Sequence, residues 1–320
     1  MNIRRYEDRD FERVRQIALS SFCLDSFHKD PFFTREAADR IIWEIWTMPA
    51  CDGSRNRCFV TEYEGIVTGF LLFGGMKELG RLYGRKIGTI IILAVDEKYR
   101  NSTQKYGSSL VRFMAGFFQK AGAGIITVGT DADNIPALKC YVSSGFQPVL
   151  RWSIFRHYSQ DVISREEPLQ VIEDRPEKSL IDKYFNRPVS FLSDPELTED
   201  FRLKVRNYYL SNLADEIGSG GLLSLQVPGS GYVIFQEEKA VSEISGKKIW
   251  RMNDLLAQPE NRKVCLNQAL RYLAEKKGAQ LVECFTETGD KTMISALEAC
   301  GFRKVHDAVT LHHKIQDELK

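Results

Sequence analysis

The sequence predicts an α/β protein built from two copies of one domain in tandem. Three observations predict it: a length of 320 residues, short apolar runs that alternate with helical patterns, and residue blocks that recur at nearly fixed spacing. A chain of this length exceeds one typical domain and suffices for two, each with its own core. Its 43% hydrophobic and 27% charged content is that of an ordinary soluble globular protein.

The first copy reads as follows. Asn2 to Tyr6 is a short strand, and Asp10 opens a helical pattern with Phe11, Val14, Ile17, Ala18 and Phe22 near the 3.6 period. Asp30-Pro31-Phe32-Phe33-Thr34 is a turn in which Thr34 caps a second helix, whose apolar stripe is Ala37, Ala38, Ile41, Ile42, Ile45 and Trp46. Cys58 to Tyr63 and Val67 to Phe73 form a hairpin around Glu64-Gly65-Ile66. Then come an apolar strand from Ile87 to Val95, a polar turn from Asp96 to Tyr106, a helix from Gly107 to Lys120, a strand from Ile125 to Val128 and a helix with its exit from Asn134 to Phe146. A strand around Val149 to Arg156 closes the copy. The polar stretch from about Gln160 to Pro188 contains Pro168, Pro176 and Pro188 and suits a connector with one short helix around Ser179 to Phe185. The expected limits are therefore 1–158 for the first domain, 159–188 for a linker and 189–320 for the second domain.

Beyond the linker the order of elements starts again. Adding 156 to Gly122, Ala123, Thr130, Gly145, Phe146 and Val149 gives Gly278, Ala279, Thr286, Gly301, Phe302 and Val305 without a gap. Gly69-Phe70-Leu71-Leu72-Phe73 pairs with Gly231-Tyr232-Val233-Ile234-Phe235 at offset 162, and Asp30-Pro31-x-x-Thr34 with Asp194-Pro195-x-x-Thr198 at offset 164. Three blocks in one order indicate a tandem duplication; the alternative is a non-homologous second α/β domain. The copies differ where polar groups cluster: Gly107 becomes Lys263, Asn134 becomes Asp290 and Tyr141 becomes Leu297. The second copy is expected to keep the fold and lack the chemistry.

Charge narrows the class of partner. With 44 basic against 43 acidic residues, no excess points to nucleic acid or an anionic membrane surface. The start leads directly into a mixed polar pattern and no 18-residue uncharged apolar run follows, so neither a secretory signal nor a spanning helix is expected, and the location expected is cytoplasmic. Seven cysteines without CxxC spacing disfavour a disulfide framework and a zinc site, and no metal is expected.

The chemistry is expected between Ile87 and Phe146. A strand that turns directly into a helix presents unpaired N–H groups and the positive end of the helix dipole at one spot, which suits a phosphate or pyrophosphate. Here the turn is Arg100-Asn101-Ser102-Thr103-Gln104-Lys105-Tyr106-Gly107-Ser108-Ser109. Gly107 allows close approach to the backbone, and Ser108 and Ser109 add hydroxyl donors.

Leu93-Ala94-Val95-Asp96-x-x-Tyr99-Arg100, the turn ending in Gly107-Ser108-Ser109-Leu110, and Asn134-x-x-Ala137-x-x-x-Tyr141-x-x-x-Gly145-Phe146 resemble the GCN5-related N-acetyltransferase (GNAT) superfamily. The resemblance implies two tandem GNAT-like α/β (α+β) domains, each a mixed, mostly antiparallel sheet with splayed strands 4 and 5 and helices on both faces. It implies acetyl-CoA as cofactor, with its arm along Leu93, Ala94 and Val95 and near Asn134 and Ala137. Its pyrophosphate would lie in the turn that includes Arg100, Gln104, Lys105, Tyr106, Gly107, Ser108 and Ser109, and Tyr141 would protonate the leaving thiolate. The turn departs from the family's pattern: Lys105 stands at the inner glycine position, Ser102 at the Arg or Gln position, and the turn is about two residues longer after Arg100. Lys105 adds a charge where the glycine is lost. The general base is left open among Asp131, Asp96 and His28.

Ser26-Phe27-His28-x-Asp30-Pro31-Phe32-Phe33-Thr34, with Ala38-Asp39, Glu44, Trp46 and the closing Trp152 to Arg156, resembles the subgroup that acetylates nucleotide-linked 4-amino sugars. The expected partner is a small-molecule amine, and the expected assembly a monomer or homodimer. Peptide, antibiotic or polyamine acetylation, and CoA binding without turnover, are the alternatives.

Overall fold

The computed structural model describes residues 1–22, 27–51, 57–100, 102–160, 168–185 and 187–315. Ser26 and Asn101 of the motifs above, and Cys23 among the seven cysteines, lie outside the described residues. The chain forms two compact units, Met1–Val149 with Val309–Lys320, and Leu150–Ala308. No described helix is long and apolar enough to cross a membrane.

In the first unit the elements are β1 (Asn2–Arg5), α1 (Phe11–Ser21), α2 (Arg35–Arg40), a π-helical turn (Ile41–Thr47), α3 (Met48–Cys51), β2 (Cys58–Tyr63) and β3 (Ile66–Gly75). They continue through α4 (Lys77–Tyr83), β4 (Lys86–Val95), α5 (Tyr106–Lys120), β5 (Ala123–Asp131) and α6 (Ile135–Val142) to the start of β6 (Gln147–Tyr158). The strands lie in the order β1-β2-β3-β4-β5, antiparallel except for the parallel pair β4 and β5. Alternation along β3 serves two cores, because successive side chains point to opposite faces. Phe70 and Leu72 meet Val14, Ile17 and Ala18 of α1 on one face. Leu71 and Phe73 meet Leu110, Val111, Met114 and Phe118 of α5 on the other.

Two local readings of the sequence change. Past Arg40 the helix widens: the Thr47 hydroxyl donates to the Ile42 carbonyl (2.9 Å) and the Met48 N–H to the Trp43 carbonyl. The wider turn buries Trp43 and Thr47 and carries Trp46 outward, to 37% exposure, where a regular helix would bury Trp46. Helix α4 has no counterpart in the sequence reading, because Leu79 is its only large buried apolar residue and gives no periodic signal.

The second unit takes up the rest of β6 and then contains β7 (Ile172–Glu173), α7 (Lys178–Tyr184), α8 (Ser190–Ser193), α9 (Glu199–Gly218), β8 (Leu223–Val227) and β9 (Gly231–Glu237). It continues with α10 (Lys239–Ser245), β10 (Ile249–Ala257), α11 (Arg262–Tyr272), β11 (Leu281–Glu287), α12 (Lys291–Ala299) and β12 (Arg303–Lys314), whose end passes to the first unit. The order β6-β11-β10-β9-β8-β7 again contains one parallel pair, β10 with β11. The stretch read as a linker supplies structure here: β7 pairs with β8, and Ile181 of α7 is buried among Leu210, Leu213 and Ile217 of α9.

Local geometry repeats along with the order. The Asp30 carboxylate accepts the Phe32 N–H (2.9 Å) and Thr34 caps α2 through the Ala37 N–H (3.2 Å). Asp194 and Thr198 do the same for Glu196 (3.0 Å) and Phe201 (3.3 Å) before α9. Gly69 and Gly231 are both pressed against the neighbouring strand: an added Cβ would lie 2.8 Å from the Ala94 carbonyl oxygen and 2.5 Å from that of Leu256.

The compact units differ from the expected domain limits at their closing strands. Residues 152–158 run antiparallel along β11, with Trp152 opposite Glu287 and Tyr158 opposite Leu281. In the first unit the closing strand comes from the other end of the chain: Val309, Leu311 and Ile315 enter the core beneath α5, and the Ile315 N–H donates to the Gly124 carbonyl (3.0 Å). Phe155 and Leu311 are equivalent in the repeat (155 + 156 = 311) and are buried in the second and first unit respectively. An apolar alternation tells a strand which face to bury and leaves open which of two related cores receives it.

Candidate active site

The site of interest starts where β4 leaves β5. Pairing between them runs only from Lys86 opposite Ala123 to Ile90 opposite Val128, whereas β3 follows β4 to its end, with Gly69 opposite Val95. The register against β3 shifts between Leu72 and Phe73, which pair with Ile92 and Ile90, so Ile91 is the bulged residue. It is 48% exposed. A bulge bends its strand, and past it alternate N–H and C=O groups of residues 91–95 point into a gap without a strand partner. Leu93 is half-buried at this gap and packs on the α5 core, Ala94 is buried toward α1, and Val95 is half-buried.

Beyond the gap lies the start of α5. Lys105 precedes it with φ 47° and ψ 51°, a left-handed conformation rarely taken by a residue with a side chain, and no side chain caps the helix. Among the described residues the first N–H groups of α5, from Tyr106 onward, therefore gather without a side-chain cap at the positive end of a 15-residue helix. The left-handed conformation at Lys105 also supplies a physical reason for the glycine expected there. Near this cradle the Ser102 hydroxyl is buried without a hydrogen-bond partner among the described residues. Uncapped donors and an orphaned hydroxyl fit a pyrophosphate, so the residues present suit CoA. Gln104 and Lys105 are exposed, Gly107, Ser108 and Ser109 half-buried, and Tyr106 buried against Tyr99 with ring centroids 5.6 Å apart. The Ser109 hydroxyl donates to the Gln104 carbonyl (3.4 Å). Arg100 turns back onto the protein, donating to the Val95 carbonyl and the Ser21 hydroxyl, both at 2.8 Å, and so braces the turn.

Helix α6 closes the site. Asn134 is its N-cap, its side-chain oxygen accepting the Ala137 N–H at 3.2 Å. Asp290 caps α12 in the same way through the Met293 N–H (2.9 Å), so capping explains the polar residue in both copies. The Asn134 side-chain NH2 is what distinguishes the first. Ala137 and Cys140 pack against the same core as Leu93 and Tyr141. Tyr141 is 4% exposed; burial, reinforced by Cys140, holds its phenol above the ordinary value. Among the described residues no hydrogen bond reaches its hydroxyl. The sequence reading passed over Cys140, whose thiol lies 3.6 Å from the Ser108 hydroxyl and ties α6 to the first turn of α5.

The three base candidates stand in different surroundings. Asp96 accepts the Lys98 N–H (2.8 Å) and forms an ion pair with Arg13. His28 lies 2.9 Å from Asp39. Asp131 is half-buried at the end of β5, beside the gap. Near His28, Phe27 meets Phe33 (5.0 Å) and Trp46 (5.5 Å).

The second unit has the same bulge and gap with different contents. Pairing of β10 with β11 ends at Met252 opposite Cys284, and the register against β9 shifts between Met252 and Asp254. Only residues 258–261 join β10 to α11, against 96–105 in the first unit, a difference of six residues. Arg262, at the start of α11, donates to the Thr292 hydroxyl (2.8 Å) and lies 3.7 Å from Asp290, across the place that the first unit leaves open.

Residues 13–146 match the model of the acetyltransferase (GNAT) family. The chain is similar over its full length to a GCN5-related N-acetyltransferase from Sphaerobacter thermophilus, with 14% identity, a TM-score of 0.61 and 97% of that chain covered. It is similar also to a tandem GNAT protein from the clavulanic acid biosynthesis pathway, with 12% identity, a TM-score of 0.52 and 99% of each chain covered. Comparison with curated proteins gives no match. The fold is thus similar to that of a tandem GNAT protein. Within this chain, the family match falls inside the first unit.

Proposed function

We propose that the first unit transfers the acetyl group of acetyl-CoA to a primary amine of a small molecule, and that the second unit has lost this activity. The observation that carries the reading is the gap past the Ile91 bulge, continuous with an uncapped helix N-terminus at Lys105. The β4 backbone along Leu93 to Val95 would bind the pantetheine arm, and the N–H groups of Tyr106, Gly107 and Ser108 the pyrophosphate, with Gln104, Lys105 and Ser109 at its rim. Asn134 would offer its side-chain N–H and Ala137 an apolar wall.

Bound acetyl-CoA supplies the activated acyl group. The protein then has to stabilise charge on the carbonyl oxygen and deliver a proton to the departing sulfur. Backbone N–H groups of β4 suit the first task. Tyr141 suits the second, because burial keeps its phenol protonated at neutral and mildly alkaline pH. The half-exposed Phe27 and Trp46 offer flat apolar faces of the kind that suit a sugar or a base. They favour a nucleotide-linked amino sugar as the acceptor.

The experiment is a thermal-shift titration with CoA followed by acetyl transfer to a panel of nucleotide-linked amino sugars, peptides, aminoglycosides and polyamines. The expected result is stabilisation of both wild type and Tyr141→Phe by CoA, with kcat in the variant lower by about a hundredfold. No stabilisation by CoA would sink the reading.

A further inference from the structure

Tyr141 is oriented by packing rather than by its hydroxyl. The Ser144 and Phe146 N–H groups both donate to the Tyr141 carbonyl, at 2.9 and 3.1 Å, which ends α6 in a tight turn. Gly145, at φ 87°, reverses the chain so that the Phe146 ring falls back on the Tyr141 ring, with centroids 5.7 Å apart. Phe146 is fully buried. The ring that orients the phenol is therefore itself placed by whatever fastens the Gly145-Phe146 corner.

That fastener is His313, in the part of β12 that completes the first unit. Its Nδ1 lies 3.0 Å from the Gly145 carbonyl oxygen. A carbonyl only accepts, so Nδ1 carries the proton and donates. The imidazole stacks on Phe146 with centroids 5.2 Å apart and 30° between planes. A Cβ added at Gly145 would come within 3.0 Å of Cε1 and Nδ1 of the same ring. One side chain thus holds both the backbone and the ring of the corner.

The repeat supplies an internal control. His157 is the equivalent of His313 (157 + 156 = 313) and packs on Phe302, the equivalent of Phe146, with centroids 5.3 Å apart. The Phe302 N–H donates to the Leu297 carbonyl at 3.0 Å, and Gly301 has φ 84°. The ring contact and the tight turn therefore recur in the second unit, where Leu297 takes the place of the tyrosine.

We propose that His313 is a positioning residue for acetyl transfer, holding the Gly145-Phe146 corner and, through it, the Tyr141 ring; this rests on the reading of Tyr141 as the acid. An ångström of drift in a catalytic group is enough to slow a reaction severely while leaving ligand binding intact. The clamp comes from the far end of the chain, so the first unit's chemistry depends on the strand that follows the second unit's last helix.

The test compares full-length wild type with His313→Ala, His313→Asn and His157→Ala. Asparagine keeps an N–H donor close to the Nδ1 position without the ring. Two readouts are taken: kcat and KM for acetyl-CoA with an amine that wild type acetylates, and the 13Cζ NMR resonance of Tyr141, assigned by its loss in Tyr141→Phe. The expected result for His313→Ala is a fall in kcat on the order of tenfold, with KM for acetyl-CoA changed less than about twofold, and a shifted Tyr141 resonance. His313→Asn recovers part of both, and His157→Ala leaves both as in wild type. An unchanged kcat and resonance in His313→Ala, or an equal change in His157→Ala, overturns the proposal while acetyl transfer by wild type still stands. Absence of transfer by wild type overturns the functional reading and the proposal with it.

Discussion

Substituting Leu311 by Ala should weaken the first unit, although Leu311 lies at the C-terminal end of the chain. Its side chain is fully buried in the core that holds Leu110, Met114, Ile126, Val128 and Tyr141. Truncating a buried leucine to alanine costs about 2–5 kcal/mol through lost transfer energy and the cavity left behind. At 1.4 kcal/mol per decade this amounts to a roughly 30- to 4,000-fold loss of hydrogen-exchange protection for amides that exchange through opening of that unit. The mirror substitution is Phe155→Ala, which should cost about 3–5 kcal/mol in the core around Leu266, Leu270 and Val282. Hydrogen exchange followed by mass spectrometry reads both. Leu311→Ala should deprotect peptides from β4, α5 and β5, and Phe155→Ala peptides from β10, α11 and β11. If Leu311→Ala deprotected β10 and α11 and left α5 untouched, the assignment of the last strand to the first unit would be wrong.

Two further outcomes follow from local geometry. Lys105→Gly should raise stability by up to about 1 kcal/mol in urea unfolding, because the left-handed conformation at Lys105 strains a residue with a Cβ and the gain is offset by glycine's unfolded-state freedom. The same substitution should weaken CoA binding roughly two- to fivefold at low salt, the difference narrowing as salt screens the lost charge. Burial pushes the thiols of Cys265 and Cys300 up to about 12 and about 11. A raised folded-state pKa stabilises fully below the unfolded value and ceases to do so as pH climbs through the folded one. The second unit should therefore lose on the order of 1–3 kcal/mol between about pH 9 and about pH 11, and Cys300→Ala should flatten that fall in urea titrations.

Much of this architecture is legible in the residues because its signals are local. The Asp-Pro-x-x-Thr turn encodes both an Asx turn and a helix cap, and both form twice. Ile87 to Val95 reads as a strand and Asn134 as the start of a helix for equally local reasons. Signals that depend on distant partners are not legible. The exchange of closing strands leaves no local trace, since Phe155 and Leu311 satisfy the same pattern. The π-helical turn depends on a hydroxyl reaching five residues back, from Thr47 to Ile42, and shifts which tryptophan is buried. Arg100 reads as a phosphate ligand by type and position, yet its guanidinium is spent on the Val95 carbonyl and the Ser21 hydroxyl. The Asn134 cap, shared with Asp290, shows how a residue singled out for chemistry can owe its place to a helix end.

The two copies also show which differences a duplicated fold absorbs as packing and which change its chemistry. An added Cβ at Gly88 would lie 2.6 Å from the Phe118 ring, so the first unit fills this layer from α5. The equivalent positions in the second unit are Trp250 and Ala274 (88 + 162 and 118 + 156), and the large ring comes from the strand instead. A large side chain is kept in the layer, and the core stays closed at Trp250, which is 8% exposed. The turn is different. The offset between copies falls from 162 at the end of β10 to 156 at Lys263, and that loss of six residues lies where the first unit has its left-handed Lys105 and its buried Ser102 hydroxyl. Arg262 then bridges to Asp290 and Thr292 across the entrance. A large-for-small swap exchanges side chains between touching layers, whereas shortening a loop by six residues removes the turn that sets Ser102 and the left-handed Lys105 before the helix. On this argument CoA should protect the amides at the start of α5 from exchange and leave those at the start of α11 unchanged; equal protection at both would mean that the short turn still binds.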